Sequence, residues 1–86
     1  MVTKIVSVKD EMGIHARPAA KLTRIVSQCN SEVVLIVHDQ RINPKNVLDI
    51  MAAGIQYMDK VQILCEGITE KEDLDTIVSF FESIGD

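Results

Sequence analysis

The sequence predicts a two-layer α/β sandwich, in which helices cover one face of a single sheet and leave the other face open. Segments with alternating polar and apolar residues, typical of strands, come between segments whose apolar residues recur at helical spacing, in the order β-α-β-β-α-β-α. The length of 86 residues fits one domain over residues 1–86. With one Tyr, two Phe and no Trp, the core of that domain must be mainly aliphatic.

A strand and then a helix begin the chain. Residues 2–8 alternate polar and apolar side chains and are rich in β-branched residues, which predicts a strand. From Ala16 to about Gln28 the apolar residues follow the helical period, so we expect an amphipathic helix there. His15 falls at the N-cap of this helix or just outside it. Pro18 lies in the first turn, where its missing N–H costs nothing, and it therefore supports this helix start.

The middle of the chain predicts two strands and a short helix. Residues 32–37 form a nearly continuous β-branched run, which is typical of a central strand. A turn over residues 38–40 leads to a short partner strand over residues 41–43. The next helix is expected from Asn46, which is a favourable N-cap residue, to about Ala53.

The last third of the chain predicts a further strand and a longer helix. Residues 60–66 alternate polar and apolar side chains. Thr69 is followed three residues later by Glu72, which is the pattern of a capping box at a helix start. We expect the final helix to follow it and to end before Gly85.

The composition argues against several classes of partner. Thirteen acidic and nine scattered basic residues give a net charge of −4, so we expect neither nucleic acid nor a membrane surface as partner. Because no apolar run reaches membrane-spanning length and no signal-peptide core is present, we expect a cytoplasmic protein. Cys29 and Cys65 lie far apart without a Cys/His cluster, which favours reduced thiols and no metal or cofactor; a single disulfide stays open.

The most informative segment is Gly-Ile-His-Ala-Arg-Pro-Ala-Ala at residues 13–20. It places His15 and Arg17 at the start of the first predicted helix. A helix N-terminus carries unpaired backbone N–H groups and partial positive charge, so it binds anions, above all phosphate. Histidine can act as a nucleophile, and arginine pairs well with phosphate oxygens. We therefore interpret this segment as a site that carries a phosphoryl group.

His38 has no such neighbours and is interpreted as a solvated turn residue.

On this motif and on its order of elements, the whole chain resembles the HPr family, the histidine-containing phosphocarriers of the bacterial sugar phosphotransferase system. The resemblance implies an α+β fold: a two-layer open-faced β-sandwich with a four-stranded, mainly antiparallel sheet and three helices on one face. It also implies a carrier that is not itself an enzyme. Such a carrier accepts a phosphoryl group from enzyme I and passes it to sugar-specific enzyme IIA proteins.

The resemblance also implies roles for individual residues. His15 would be phosphorylated on its Nδ1 atom, with Arg17 as the companion cation. The backbone N–H groups of Ala16 and Arg17 would stabilise the phosphoryl group. We expect no cofactor and no metal, and a monomer that meets its partners transiently.

In the family, exposed apolar residues around the histidine form a patch that docks the partner proteins. We expect Ile50 to point inward and the rest of the short helix to contribute to this patch. The residues expected in the docking patch are Ala20, Arg24, Val47, Leu48 and Met51.

The chain departs from the family pattern at several positions. Asn46 replaces a serine that a kinase phosphorylates in Gram-positive members, so that regulation should be absent, while the helix cap is kept. Asp49, Met12 and the turn at residues 38–40 are also unusual, which suggests a divergent member and leaves its partners open. Two other interpretations stay open: a regulatory module that acts through protein contacts alone, and a carrier for a non-sugar route such as nitrogen signalling or dihydroxyacetone phosphorylation.

Overall fold

The computed structural model describes residues 1–84 and confirms the predicted fold class and order of elements. The strands are β1 (Val2–Ser7), β2 (Glu32–Val37), β3 (Gln40–Ile42) and β4 (Lys60–Glu66), and the helices are α1 (Ala16–Ser27), α2 (Val47–Ala52) and α3 (Glu70–Ser83). The strands form one sheet in the order β1-β4-β2-β3, and its pairings are antiparallel throughout. Within residues 1–84, no helix is long and apolar enough to cross a membrane.

The helices bury one face of the sheet. Side chains of a strand alternate between the two faces, and β4 accordingly buries Val61 and Ile63 completely while the intervening Gln62 is only half-buried. From the helical layer, Leu22 and Phe81 add large, fully buried side chains. The core is therefore mainly aliphatic, as the composition predicts.

Helix α1 lies with its apolar face on this core and its polar face in solvent. Leu22 and Val26 are fully buried, one helical turn apart. The hydroxyl of Thr23 donates a hydrogen bond to the carbonyl of Pro44 at 3.0 Å, just before α2 begins. The two helices also pack against each other, so α1 and α2 are neighbours in the helical layer.

Helix α2 starts as predicted. The Asn46 side chain accepts hydrogen bonds from the N–H groups of Leu48 at 2.9 Å and Asp49 at 3.3 Å, which makes it a true N-cap. The helix is only six residues long and has one fully buried residue, Ile50. The other apolar side chains of α2 are not fully buried, so part of their surface remains available for contacts outside the core.

The capping box predicted at Thr69 and Glu72 is wrong. Thr69 has φ −104° and ψ 29°, which is not the extended conformation that an N-cap needs, and its side chain caps no N–H group within residues 1–84. Instead, its hydroxyl donates to the Asp73 carboxylate at 2.8 Å. That carboxylate also accepts from the hydroxyl and N–H of Ser31, at 2.5 and 3.0 Å. The backbone of Thr69, and not this network, excludes the cap, because the N–H of Glu70 already donates to the Gly67 carbonyl in a turn that precedes the helix.

The β2–β3 turn confirms His38 as an exposed turn residue and adds a contact that the sequence did not show. His38 and Asp39 both have positive φ, 52° and 61°, as in the tight two-residue turns that match the twist of a hairpin. The Nε2 atom of His38 lies 2.9 Å from an Asp59 carboxylate oxygen. His38 thus anchors a strained turn to the neighbouring loop while staying half-exposed.

Candidate functional site

The loop before α1 is held in place by its own backbone. The N–H of Gly13 donates to the Asp10 carbonyl at 2.8 Å, and the N–H of Ile14 donates to the Ile55 carbonyl at 3.0 Å. Gly13 has φ +70°, and a side chain there would collide with the backbone of Ile55 and Gln56. Because Ile14 is also buried in the core, the following residue, His15, is presented from a fixed backbone.

His15 is the N-cap residue of α1. Its backbone is extended, with φ −88° and ψ −169°, and its carbonyl accepts the N–H of Ala19 at 3.0 Å. Its imidazole makes no capping hydrogen bond to the helix, and 37% of the side chain is exposed. The ring is therefore available to a reaction partner from solvent.

The first N–H groups of α1 point to a site for an anion. Among residues 1–84, no oxygen accepts the N–H of Ala16 or Arg17, and the first turn carries no acidic residue. Pro18 has no N–H to offer. The N-terminal end of α1 therefore keeps its partial positive charge, which is the local condition for binding a phosphoryl group.

Arg17 is the second residue of α1 and is exposed to solvent. It forms no ion pair with any carboxylate in the described part of the chain. Its guanidinium group is thus free to bind an anion. The structure brings His15, the Ala16 and Arg17 N–H groups and the Arg17 side chain to one helix end.

An acidic neighbour of His15 is the feature that sequence reasoning missed. An Asp10 carboxylate oxygen, Oδ2, lies 3.7 Å from the Nε2 atom of His15. A signal for it was present, because aspartate followed three residues later by glycine is typical of a tight turn that folds the chain back. The contact itself depends on the path of the loop, which the spacing alone does not show.

The residues expected in the docking patch lie on α1 and α2, two helices that pack against each other. Ala20 and Arg24 are exposed on α1, and 75% of Leu48 and 44% of Met51 are exposed on α2. Val47 is only half-buried against the core. Met12, in the loop before His15, is a further exposed apolar side chain that sequence reasoning treated only as a departure from the family pattern.

The two cysteines are free thiols. Burial raises the pKa of the Cys65 thiol to about 11, so it is protonated and inert at neutral pH. Burial, followed by the nearby Asp73 carboxylate, also raises the pKa of Cys29. In the described residues, no group of three His, Cys, Asp or Glu side chains is arranged to hold a metal ion.

Comparisons with known proteins extend over nearly the whole chain. Residues 2–83 match the family model described as PTS HPr component phosphorylation site. A phosphocarrier protein HPr of Treponema pallidum is 31% identical over 83 residues, which cover 96% of this chain and 94% of that protein. The crystal structure of HPr-C-His from Thermoanaerobacter tengcongensis has a TM-score of 0.92 at 28% identity and covers 99% of this chain and 96% of its own. A crystal structure described as an HPr dimer from the same organism has a TM-score of 0.77 at 28% identity, with 94% and 93% covered.

Proposed function

The chain belongs to the HPr family, the phosphocarriers of the phosphotransferase system of sugar transport, and we propose that His15 is the residue that carries its phosphoryl group. In this role the protein is the substrate of its partners at both ends of the transfer and has no activity of its own. Phosphorylated enzyme I is the donor, and an enzyme IIA protein is the acceptor.

The observation that carries this proposal is the open N-terminal end of α1 beneath His15. A phosphoryl group on the imidazole adds negative charge at a place where two backbone N–H groups have no acceptor within residues 1–84. The partial charge of the helix end and the Arg17 guanidinium both stabilise that charge. Because His15 stays partly exposed, the group remains accessible to the next acceptor, which a carrier requires.

The docking patch supports transient binding of two different partners. Leu48 and Met51 offer apolar surface that the core does not use, and Arg24 adds a positive charge on the neighbouring helix. A partner that presents apolar side chains with acidic residues around them would complement this surface. Such a small patch favours short-lived complexes, as expected of a protein that must leave one partner to reach the next.

Regulation by a serine kinase is absent in this proposal. Asn46 has no hydroxyl group, and its side-chain oxygen already accepts two helix N–H groups. Incubation with a serine kinase of the family and ATP should leave residue 46 unmodified, while Asn46→Ser should restore the acceptor and keep the cap. Failure of Asn46→Ser to become phosphorylated would mean that Asp49 or the local surface also blocks the kinase.

The experiment that tests the proposal is intact mass spectrometry after incubation with phosphoenolpyruvate, magnesium and enzyme I. We expect one acid-labile phosphoryl group on the wild-type protein and none on His15→Ala. The chain offers a matched control, because His38 is its other histidine. His38→Ala should be phosphorylated like the wild type, since His38 lies in the β2–β3 turn and not at the start of α1.

Two results would contradict the proposal. Phosphorylation of folded His15→Ala would place the group on another residue. A folded wild-type protein that stays unmodified, while the same enzyme I phosphorylates a reference HPr, would favour a regulatory module that acts through contacts alone. Acceptor assays with individual enzyme IIA proteins then separate a sugar route from a nitrogen or dihydroxyacetone route.

We propose that the carrier acts as a monomer. The groups proposed to hold the phosphoryl group all belong to the start of α1, so the site needs no residue from a second copy. Sedimentation measurements over a range of protein concentrations test this statement. A stable dimer at micromolar concentration would contradict it.

A further inference from the structure

Asp10 and His15 face each other across the loop that precedes α1. The Asp10 Oδ2 atom lies 3.7 Å from His15 Nε2, and both side chains are only partly exposed. We propose that Asp10 is a positioning residue that keeps the proton of His15 on Nε2 and so leaves Nδ1 as the nucleophilic nitrogen. This inference rests on the proposed function of His15.

The Asp10 carboxylate is itself held in place. Its Oδ1 atom accepts the N–H of Met12 at 2.9 Å, and its carbonyl accepts the N–H of Gly13 at 2.8 Å. The turn thereby directs the remaining oxygen, Oδ2, towards the imidazole. At 3.7 Å the contact is longer than a hydrogen bond. The negative charge of the carboxylate therefore acts on the ring across this distance and favours a proton on the nitrogen that faces it.

The position of the proton decides which ring nitrogen can react. In the neutral ring with Nε2 protonated, Nδ1 has a free electron pair, which attacks the phosphorus atom of the donor. The Nδ1–P bond forms while the bond between phosphorus and the donor breaks, and its electron pair leaves with the donor. Nε2 keeps its proton, so the ring becomes a cation beside the Asp10 carboxylate.

Transfer to the acceptor reverses this step. The Nδ1–P bond breaks, its electron pair returns to Nδ1, and the ring is neutral again with the same proton on Nε2. No proton has to be exchanged with water in either direction. The other tautomer, with the proton on Nδ1, would first have to lose that proton, and it is unproductive until it does.

The structure makes an unusual prediction for substitutions of Asp10. In Asp10→Asn, the amide oxygen can keep the hydrogen bond from Met12, which places the NH₂ group where Oδ2 was. That group donates to Nε2 and stabilises the wrong tautomer, with the proton on Nδ1. Asp10→Ala removes the carboxylate without adding a donor. We therefore expect the conservative asparagine variant to be the more harmful one for transfer, although it retains the loop better.

The test combines the tautomer and the transfer rate. Imidazole ¹⁵N chemical shifts at a pH where His15 is neutral should show mainly protonated Nε2 in the wild type and a larger fraction of protonated Nδ1 in Asp10→Asn. Transfer from enzyme I should slow about threefold in Asp10→Ala and about tenfold or more in Asp10→Asn. Glu11→Gln is the matched control, because it removes a neighbouring carboxylate that makes no ion pair within residues 1–84.

The outcomes separate this inference from the proposed function. The tautomer is measured on the free protein, so it stands or fails without any partner. Identical ¹⁵N shifts in the wild type, Asp10→Asn and Glu11→Gln would overturn the inference even if His15 is phosphorylated. A shifted tautomer with an unchanged transfer rate in folded Asp10→Asn would also overturn it. Missing phosphorylation of the wild type, in contrast, would overturn the proposed function.

Discussion

Two helices of this protein begin in opposite ways. In the first turn of α3, Glu70 accepts the N–H of Gly67 at 3.2 Å, and Asp73 accepts three hydrogen bonds from Ser31 and Thr69. In the first turn of α1 there is no acid. Each helix leaves two first-turn N–H groups without an acceptor within residues 1–84, so the two ends differ in their charged side chains and not in their backbone hydrogen bonds. The chain therefore neutralises one helix end with its own carboxylates and leaves the other for a charge supplied from outside.

The electrostatics of α3 agree with this difference. A hydrogen bond from the Ser31 hydroxyl, and with it the Thr69 hydroxyl and the Ser31 N–H, holds the pKa of Asp73 below its usual value. The hydrogen bond from the Gly67 N–H likewise lowers the pKa of Glu70. These carboxylates stabilise the fold. For the open end of α1, in contrast, we propose a role in phosphoryl transfer.

The largest effect is expected at the loop that fixes the α1 end. Gly13→Ala places a methyl group against the backbone of Ile55 and Gln56 and forces positive φ on a non-glycine residue. It should lower the free energy of unfolding by about 2–4 kcal/mol, measured by urea denaturation. Gly54→Ala is the matched control, since φ there is +64° but no atom lies within 4 Å of the added carbon; it should cost about 1 kcal/mol. Equal losses at both positions would contradict the close approach at Gly13.

Asp73→Ala removes one of the carboxylates that neutralise the start of α3. Asp73→Ala should lower stability at pH 7 by about 1–2 kcal/mol, because it leaves Ser31 and Thr69 without their acceptor. A carboxyl whose pKa is lower in the folded state stabilises the protein above its unfolded pKa of about 3.9 and loses this effect as the pH falls through the folded value. The difference from the wild type should therefore shrink below about pH 4.

Thermal unfolding, followed from pH 2 to 7 at intervals of about one pH unit, measures how the stability difference depends on pH. Asp75→Ala, at an exposed position in the same helix, is the control and should change stability by less than about 0.5 kcal/mol. Phosphoryl transfer should stay normal in both variants. A pH-independent loss in Asp73→Ala would show that packing, and not the ionised carboxylate, causes the effect.

Arg17→Ala removes the side-chain cation at the open end of α1. Transfer from enzyme I should slow about tenfold, since a charge that stabilises the transferring group is removed. Stability should change by less than about 0.5 kcal/mol, because Arg17 is exposed and lies outside every ion pair of the described residues. Arg41→Ala removes an exposed arginine from the sheet and serves as the control in stopped-flow or quench assays. Unchanged transfer in Arg17→Ala would exclude Arg17 from the mechanism.

The smallest effect is a gain in stability at the site itself. Serine is a good N-cap without charge, so His15→Ser should cap the start of α1 and raise the free energy of unfolding by about 0.5–1 kcal/mol while abolishing phosphorylation. Asn46→Ala, which removes a cap that exists, should lower it by about 1 kcal/mol. Chemical denaturation measures the free energy of unfolding of both variants. A loss of stability in His15→Ser would mean that the start of α1 has no N–H group left to cap.

The parts that sequence reasoning predicted well depend on local patterns. The helical period after Ala16 and the cap at Asn46 involve residues within one or two turns of each other, and the structure confirms both. The Thr69 cap was wrong because the chain already turns at Gly67, whose carbonyl accepts the N–H of Glu70, and Thr69 therefore does not have the extended backbone of an N-cap. A turn of this kind depends on the path of the loop, which periodicity does not describe.

The candidate site likewise has residues that the sequence predicts and neighbours that only the structure reveals. His15 and Arg17 follow from the rule that a helix start attracts anions. The neighbours of the two histidines, Asp10 and Asp59, became visible only in the folded chain. In each pair the acid lies in a loop whose path is set by backbone hydrogen bonds to another segment.

The most direct measurement compares the backbone amides of the two helix ends before and after phosphorylation, in ¹H–¹⁵N spectra of the wild-type protein. If the open end of α1 receives the phosphoryl group, the Ala16 and Arg17 amide protons should shift downfield more than any others as they gain an acceptor. Those of Lys71 and Glu72, at the neutralised end of α3, should stay in place. Shifts at Ala16 and Arg17 no larger than those in α3 would contradict the role assigned to this helix end.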